Sequence, residues 1–117
     1  MKLYTFFRSS ASYRVRIALN LKALNCEQVP IHLRRGGGEQ SSATYKAINP
    51  QALVPALEDA GRILTQSLAI MEYLEEVFPT GRTLVPADAL ARARMRALIR
   101  FIDEMPTPAV RVPSYNL

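Results

Sequence analysis

The sequence holds one cysteine, one histidine and no uninterrupted apolar run long enough to cross a bilayer. The single cysteine, Cys26, excludes a disulfide within the chain, and paired with the single histidine, His32, it argues against a zinc site. A reducing compartment follows as the expectation, most simply a cytoplasm of bacterial type. The apolar stretches are short pieces such as Leu3 to Phe7, so no membrane partner is expected. No charged region followed by a long apolar region opens the chain, and no signal peptide is expected. Acidic charge is also in the minority: the net charge is +5 and the isoelectric point near 9.8. Such a balance permits nucleic-acid binding, but Arg92, Arg94, Arg96 and Arg100 recur in one helical stretch among Ala, Leu and Met. That pattern reads as the solvated face of an amphipathic helix, and no nucleic-acid partner is expected.

What is present is a chain of 117 residues, 49% apolar, enough for one small globular domain with a single core. Lys2 to Phe7 reads as a short strand. Ser9 and Ser10 are placed to cap a helix, and from Ser12 to Leu24 two apolar rows recur at helical spacing: Val15, Ala18, Leu19 and Ile17, Leu21, Leu24. A helix apolar on two sides should meet both a sheet and a neighbouring helix, with Asn25 as its stop. Cys26 to Leu33 alternates as a strand, moved toward a sheet edge by Pro30, with His32 on its outer face. Gly36, Gly37 and Gly38 make a flexible loop. No Lys-Ser/Thr pair follows them, so this is not a phosphate loop. A short helix over 42–48 ends at Asn49-Pro50. Val54 to Glu58 and Ile63 to Thr65 form a hairpin about the Asp59-Ala60-Gly61 turn. Gln66-Ser67 caps a helix over 68–78 with Leu68, Met71, Leu74 and Phe78 on one face, stopped by Pro79 and Gly81.

The order βαβ, helix, ββα predicts an α/β fold, the thioredoxin-like arrangement: a mixed four-stranded sheet with helices on both faces. Residues 1–79 form that domain and 80–87 read as a linker. Asp88 caps a long helix reaching about Met105, and Pro106, Pro108 and Pro113 give the chain an irregular finish. The stripe Leu90, Ala97, Leu98, Phe101, Ile102 and Met105 has few partners here. One helix is not a domain, so with residues 88–117 the chain is expected to be a fragment, or the stripe to pack against another chain.

Three stretches carry a resemblance. RSSASYRVRIALNLK (from Arg8), NPQALVPALED (from Asn49) and LTQSLAIMEYLEE (from Leu64) resemble, in order and spacing, the N-terminal part of a glutathione transferase of the zeta class, which includes maleylacetoacetate isomerase. The resemblance implies a glutathione-binding domain and a second, all-helical one, of which residues 88–117 would be the truncated start. It implies that Ser9, the first serine of the motif, is the catalytic hydroxyl, with Ser10 beside it and Arg14 adding positive charge. A hydroxyl donor and a helix N-terminus both favour thiolate over thiol. The plainer reading is that both serines are only caps, worth about 1 kcal/mol.

By the same resemblance, Pro55 is cis and leaves the Val54 backbone free to pair with glutathione as a short added strand; the alternative is an ordinary proline beside a strand. Gln66 and Ser67 would receive the γ-glutamyl carboxylate, Gln40 is a further contact, and Ala11 lies within the site. Ala11 stands where the zeta motif has cysteine, which disfavours chemistry through a protein–glutathione mixed disulfide. Cys26 reads as structural, His32 as a surface histidine, and Tyr4 as packing.

The implied function is a glutathione transferase acting on a small electrophile, possible substrates including maleylacetoacetate, whose cis double bond would be isomerised. Glutathione is the implied cofactor and a homodimer the implied assembly. The alternative is a non-catalytic binding or regulatory protein on the same fold, which the intact Ser9, Val54-Pro55 and Gln66-Ser67 disfavour.

Overall fold

A computed structural model describes residues 1–105, so the expected irregular finish lies outside the described residues. The chain divides into two compact units, Met1–Leu84 and Val85–Leu117. The first contains β1 (Lys2–Thr5), α1 (Ser10–Leu21), β2 (Glu27–Pro30), α2 (Ala43–Ile48), β3 (Ala56–Asp59), β4 (Arg62–Thr65) and α3 (Ser67–Val77). The strands form one mixed sheet in the order β2-β1-β3-β4, with β1 parallel to β2 and the other pairs antiparallel. This is the βαβαββα order that the sequence predicts. Pro30, which has no N–H to give a ladder, does sit in an edge strand.

Alternation along the strands sends residues to two cores. Leu3 and Leu57 join Val15, Ala18, Leu19, Ile70 and Leu74 on the face covered by α1 and α3. Tyr4 and Ala56 join Ile31 and Tyr45 on the face covered by α2. Helix α1 buries one row: Ser12, Val15, Ala18 and Leu19. Ile17 and Leu21, expected to pack on a neighbouring helix, are exposed. One buried row suffices because it meets both the sheet and α3.

Several element ends differ from the expectation, for reasons that lie in the backbone. Helix α1 stops before Asn25. Ala23 takes φ 54°, its N–H donates to the Asn20 carbonyl and the Leu24 N–H to the Leu19 carbonyl. These are the two bonds of a Schellman ending, and they carry Leu24 back against the core. Strand β2 ends at Pro30, so His32 belongs to the following loop. The β3 ladder starts at Ala56, which leaves Val54 and Pro55 ahead of the sheet. On α3, Ile70 is the fully buried residue of the helix along with Leu74, while Leu68 and Met71 are half-buried.

Residues 80–84 are fastened to the first unit. Thr80 Oγ1 donates to the Lys22 carbonyl at 2.7 Å and the Arg82 N–H to the Leu21 carbonyl at 2.7 Å. Gly81 allows this approach, because a Cβ there would collide with the Leu21 and Lys22 backbone. The buried Lys22 ammonium lies 3.5 Å from Glu75 Oε2, which also accepts the Leu84 N–H at 2.6 Å.

In the second unit, α4 (Ala89–Asp103) is capped by Asp88, whose carboxylate accepts the Ala91 N–H at 2.8 Å. Its Leu90, Leu98, Phe101 and Ile102 are exposed, as is Met105 just beyond it. Arg100 pairs with Glu104 in full solvent, a contact of little energetic weight. No helix among the described residues is long and apolar enough to cross a membrane.

Candidate active site at one end of the sheet

The ladder register decides which segments meet. Thr5 at the end of β1 is level with Pro30 at the end of β2, and Tyr4 is level with Ala56 at the start of β3. Ala56 in turn faces Thr65 at the end of β4. Four connections therefore leave from one end of the sheet: the turn into α1 with Ser9 and Ser10, the 31–42 loop, the approach through Val54-Pro55, and the entry to α3 through Gln66-Ser67.

Ser9 is the N-cap of α1. Its Oγ accepts the Ser12 N–H at 3.1 Å, and its own N–H is tied to the Phe6 carbonyl. A hydroxyl has one proton to donate and two lone pairs. Capping uses a lone pair and leaves the proton for a sulfur, so capping and thiol activation do not compete. Ser10 is the exposed first residue of the helix, Ala11 half-buried behind it, and Arg14 half-buried one turn further on. Arg16, passed over in the sequence, braces the turn. Its guanidinium donates to Thr5 Oγ1 at 2.8 Å and to the Phe7 carbonyl at 3.4 Å, and lies over the Tyr13 ring. The RVR spacing was the available signal, because it places a second cation nearly two turns past the serines on the side facing β1.

The Val54–Pro55 peptide is cis, Val54 half-buried and Pro55 buried. Gln66, rather than Ser67, is the N-cap of α3, and Ser67 is the buried first helical residue. Helices α1, α2 and α4 each have a side-chain capping bond; α3 alone among them has none. Its leading N–H groups, at the positive end of the helix dipole, thus remain open to an anion. Gln66 holds φ 70°, ψ 115°, a left-handed backbone costly for a side-chain residue, while its Nε2 donates to Gln51 Oε1 at 2.9 Å. Gln66→Gly is expected to raise thermal stability by about 1 kcal/mol by relieving that backbone and to weaken glutathione binding several-fold. Melting curves and a binding titration on the same variant check both halves.

Gln40 is half-buried. Its Nε2 donates to the Leu33 carbonyl at 3.2 Å, and its Oε1 is buried without a partner among the described residues. One of its two amide N–H groups is thus used within its own loop. His32 is half-buried and organises that loop: Nδ1 accepts the Arg34 and Arg35 N–H groups at 3.2 and 2.8 Å, and its backbone N–H donates to Glu39 Oε2 at 2.7 Å. Cys26 is half-buried against the core, and burial raises its thiol pKa, which favours the protonated form. Tyr4 donates to Glu58 Oε2 at 3.0 Å from within the sheet.

Behind the Val54 segment, Tyr45 donates to the Leu53 carbonyl at 2.6 Å. Burial pushes its hydroxyl up from 10.0 to about 12. The folded state therefore holds this proton more tightly than the unfolded chain. The stability gained is present below pH 10 and is lost as pH rises toward 12. Tyr45→Phe should remove that alkaline step from a stability-versus-pH curve while leaving the neutral range flat.

The comparisons with known proteins follow this geometry. Residues 3–82 match the family model described as glutathione S-transferase, N-terminal domain. The chain belongs to the glutathione S-transferase family. It is 52% identical over 103 residues to the maleylacetoacetate isomerase of Pseudomonas aeruginosa, covering 87% of this chain and 48% of that one. Its fold superposes with a TM-score of 0.85 on a bacterial zeta-class maleyl pyruvate isomerase, at 46% identity, 96% of this chain and 51% of that chain. The maleylacetoacetate isomerase of Methylobacterium extorquens AM1, solved with bound malonate and glutathione, gives the same TM-score and identity over 97% of this chain and 51% of that one. The chain thus spans about half the length of the curated relatives it matches.

Proposed function

We propose that this chain is the glutathione-binding half of a zeta-like glutathione transferase, which activates the glutathione thiol toward a small electrophile. Relatives named for maleylacetoacetate and maleylpyruvate make isomerisation of a cis double bond in a maleyl diacid the specific reaction proposed. The observation that carries the reading is the register that gathers the Ser9 turn, the Val54 backbone and the uncapped α3 N-terminus at one sheet end.

Those groups fit glutathione in kind. Val54 stands outside the ladder, in position to pair with an extended peptide. The α3 N–H groups and Gln66 suit its γ-glutamyl carboxylate, with Ser67 beneath them. Ser9 Oγ, with Ser10 next to it, keeps a proton for the sulfur. The α1 dipole and the Arg14 charge favour the thiolate. Gln40 is retained as a contact through the amide N–H that Leu33 does not use. Glutathione itself supplies a thiolate that adds to an activated carbon and can be expelled again. With Ala11 in the turn and Cys26 half-buried and protonated, this domain supplies no protein thiol for a mixed disulfide.

The second unit is proposed as the first helix of an all-helical domain, beginning near residue 88 after a connection over 80–87. Its exposed Leu98, Phe101 and Ile102 would be covered in a complete homodimer. A cytoplasmic location is supported by the single cysteine. Retention of the protein on immobilised glutathione, with elution by free glutathione, tests the reading. Passage of the complete protein, helical domain included, without retention would return it to the class of non-catalytic binding proteins on this fold; passage of this chain alone would show only that the fragment is inactive by itself.

A further inference from the structure

Asn49, which ends α2, is 1% exposed, and both ends of its side-chain amide are engaged. Its Nδ2 donates to the Leu53 carbonyl at 2.9 Å, and its Oδ1 accepts the Gln51 N–H at 3.0 Å. Its backbone closes the same loop, the N–H on the Tyr45 carbonyl at 2.8 Å and the carbonyl on the Ala52 N–H at 2.9 Å. Tyr45 adds a second donor to the Leu53 carbonyl at 2.6 Å. Gln51, held through its N–H, presents its Oε1 to Gln66 Nε2 at 2.9 Å.

The Leu53 carbonyl and the Val54 N–H belong to one peptide plane. That peptide is trans and rigid, so its carbonyl and N–H point in opposite directions. Two donors on the carbonyl hold the plane from behind and thereby aim the Val54 N–H away from α2. The same Asn49 amide reaches the α3 entry through Gln51 and Gln66. From this geometry we infer that Asn49 is a positioning residue for glutathione: seconded by Tyr45, it orients at once the Val54 backbone that would pair with the cysteinyl unit and the Gln66 amide that would meet the γ-glutamyl end. The inference rests on the glutathione reading above and adds to it two buried groups that touch no ligand themselves.

Asn49→Asp separates positioning from simple support. The variant keeps the acceptor for the Gln51 N–H but sets a carboxylate oxygen against the Leu53 carbonyl. Once protonated, the new carboxyl donates to that carbonyl again, and burial raises the pH at which it does so. The titratable groups facing it are Tyr45 and, beyond it, Tyr4 with Glu58; both tyrosines have raised pKa values and stay protonated below pH 8. Glutathione affinity is measured by titration calorimetry on the 117-residue chain from pH 8 to pH 5, at a temperature where every variant is folded.

Asn49→Asp is expected to bind about tenfold more weakly than the original chain at pH 8 and to approach it at pH 5. Tyr45→Phe is expected to bind roughly threefold more weakly at every pH. Variants that are folded yet bind as tightly as the original chain across the range would overturn the inference. If Asn49→Asp does not fold, Tyr45→Phe decides alone, unchanged binding counting against it. Failure of the original chain to bind glutathione would remove this inference, and the functional reading would then rest on retention of the complete protein. Normal binding by all three proteins would remove this inference only.

Discussion

Ser9→Ala is expected to raise the thiol pKa of bound glutathione by about one to two units, the worth of one hydrogen bond to a charged group. In a catalytically complete protein it should lower kcat/KM about 100-fold, the scale seen when a single donor to developing charge is removed. The same substitution deletes the α1 cap, whose Oγ accepts the Ser12 N–H at 3.1 Å, at a cost of about 1 kcal/mol of stability. The two effects are separable. Ser9→Asp retains a side-chain oxygen for the cap but has no proton to donate, and its charge also disfavours a thiolate, so it should keep the stability and still show a raised thiol pKa. Ser9→Thr should keep both. Ultraviolet titration of the thiolate measures the pKa, and melting curves measure the cap. A thiol pKa unchanged in Ser9→Ala would reduce Ser9 to a cap and move attention to Ser10.

Glu75→Ala should destabilise the first unit by about 3 kcal/mol. Lys22 is 2% exposed and its ammonium lies 3.5 Å from Glu75 Oε2, the oxygen that also accepts the Leu84 N–H at 2.6 Å. Removing the carboxylate leaves a buried cation and a backbone donor without partners. For a unit of this size the loss corresponds to a fall in Tm of roughly 15 °C. The double substitution Lys22→Met with Glu75→Leu should recover most of it, because the cost lies in the uncompensated charge and not in the absence of the pair. A double variant as unstable as Glu75→Ala would show that the Leu84 contact carries the effect.

The residues differ in how openly they advertise their roles. Ser9 and Asp88 cap helices by a purely local bond, and both caps are visible in the chain as a polar residue before a periodic run, whereas Ser42 reads as the first residue of its helix and is instead its cap. The βαβ-hairpin-helix order is likewise written in periods of two and of 3.6. Where strands begin is not local. Val54 reads as part of a strand, yet the ladder starts at Ala56, because the register is set by pairing with β1 and β4. Ala23 ends α1 in a left-handed conformation that alanine seldom signals, and it does so to bury Leu24. Ser67 reads as a cap because serine is a good one. The structure gives the position to Gln66 at φ 70°, a placement no propensity favours. Asn49 before Pro50 reads simply as the end of a helix. Its hold on Leu53 and Gln51 appears only when the loop closes in three dimensions.

The central claim is that the Ser9 turn, the Val54 backbone and the α3 entry form one glutathione site. Amide chemical shifts followed during titration with glutathione test it most directly. The account predicts concerted, saturable shifts at Ser9, Ser10, Ala11, Val54, Gln66 and Ser67, fitting a single dissociation constant, with α4 unmoved. Shifts confined to one of these segments, or centred on the opposite end of the sheet, would contradict it.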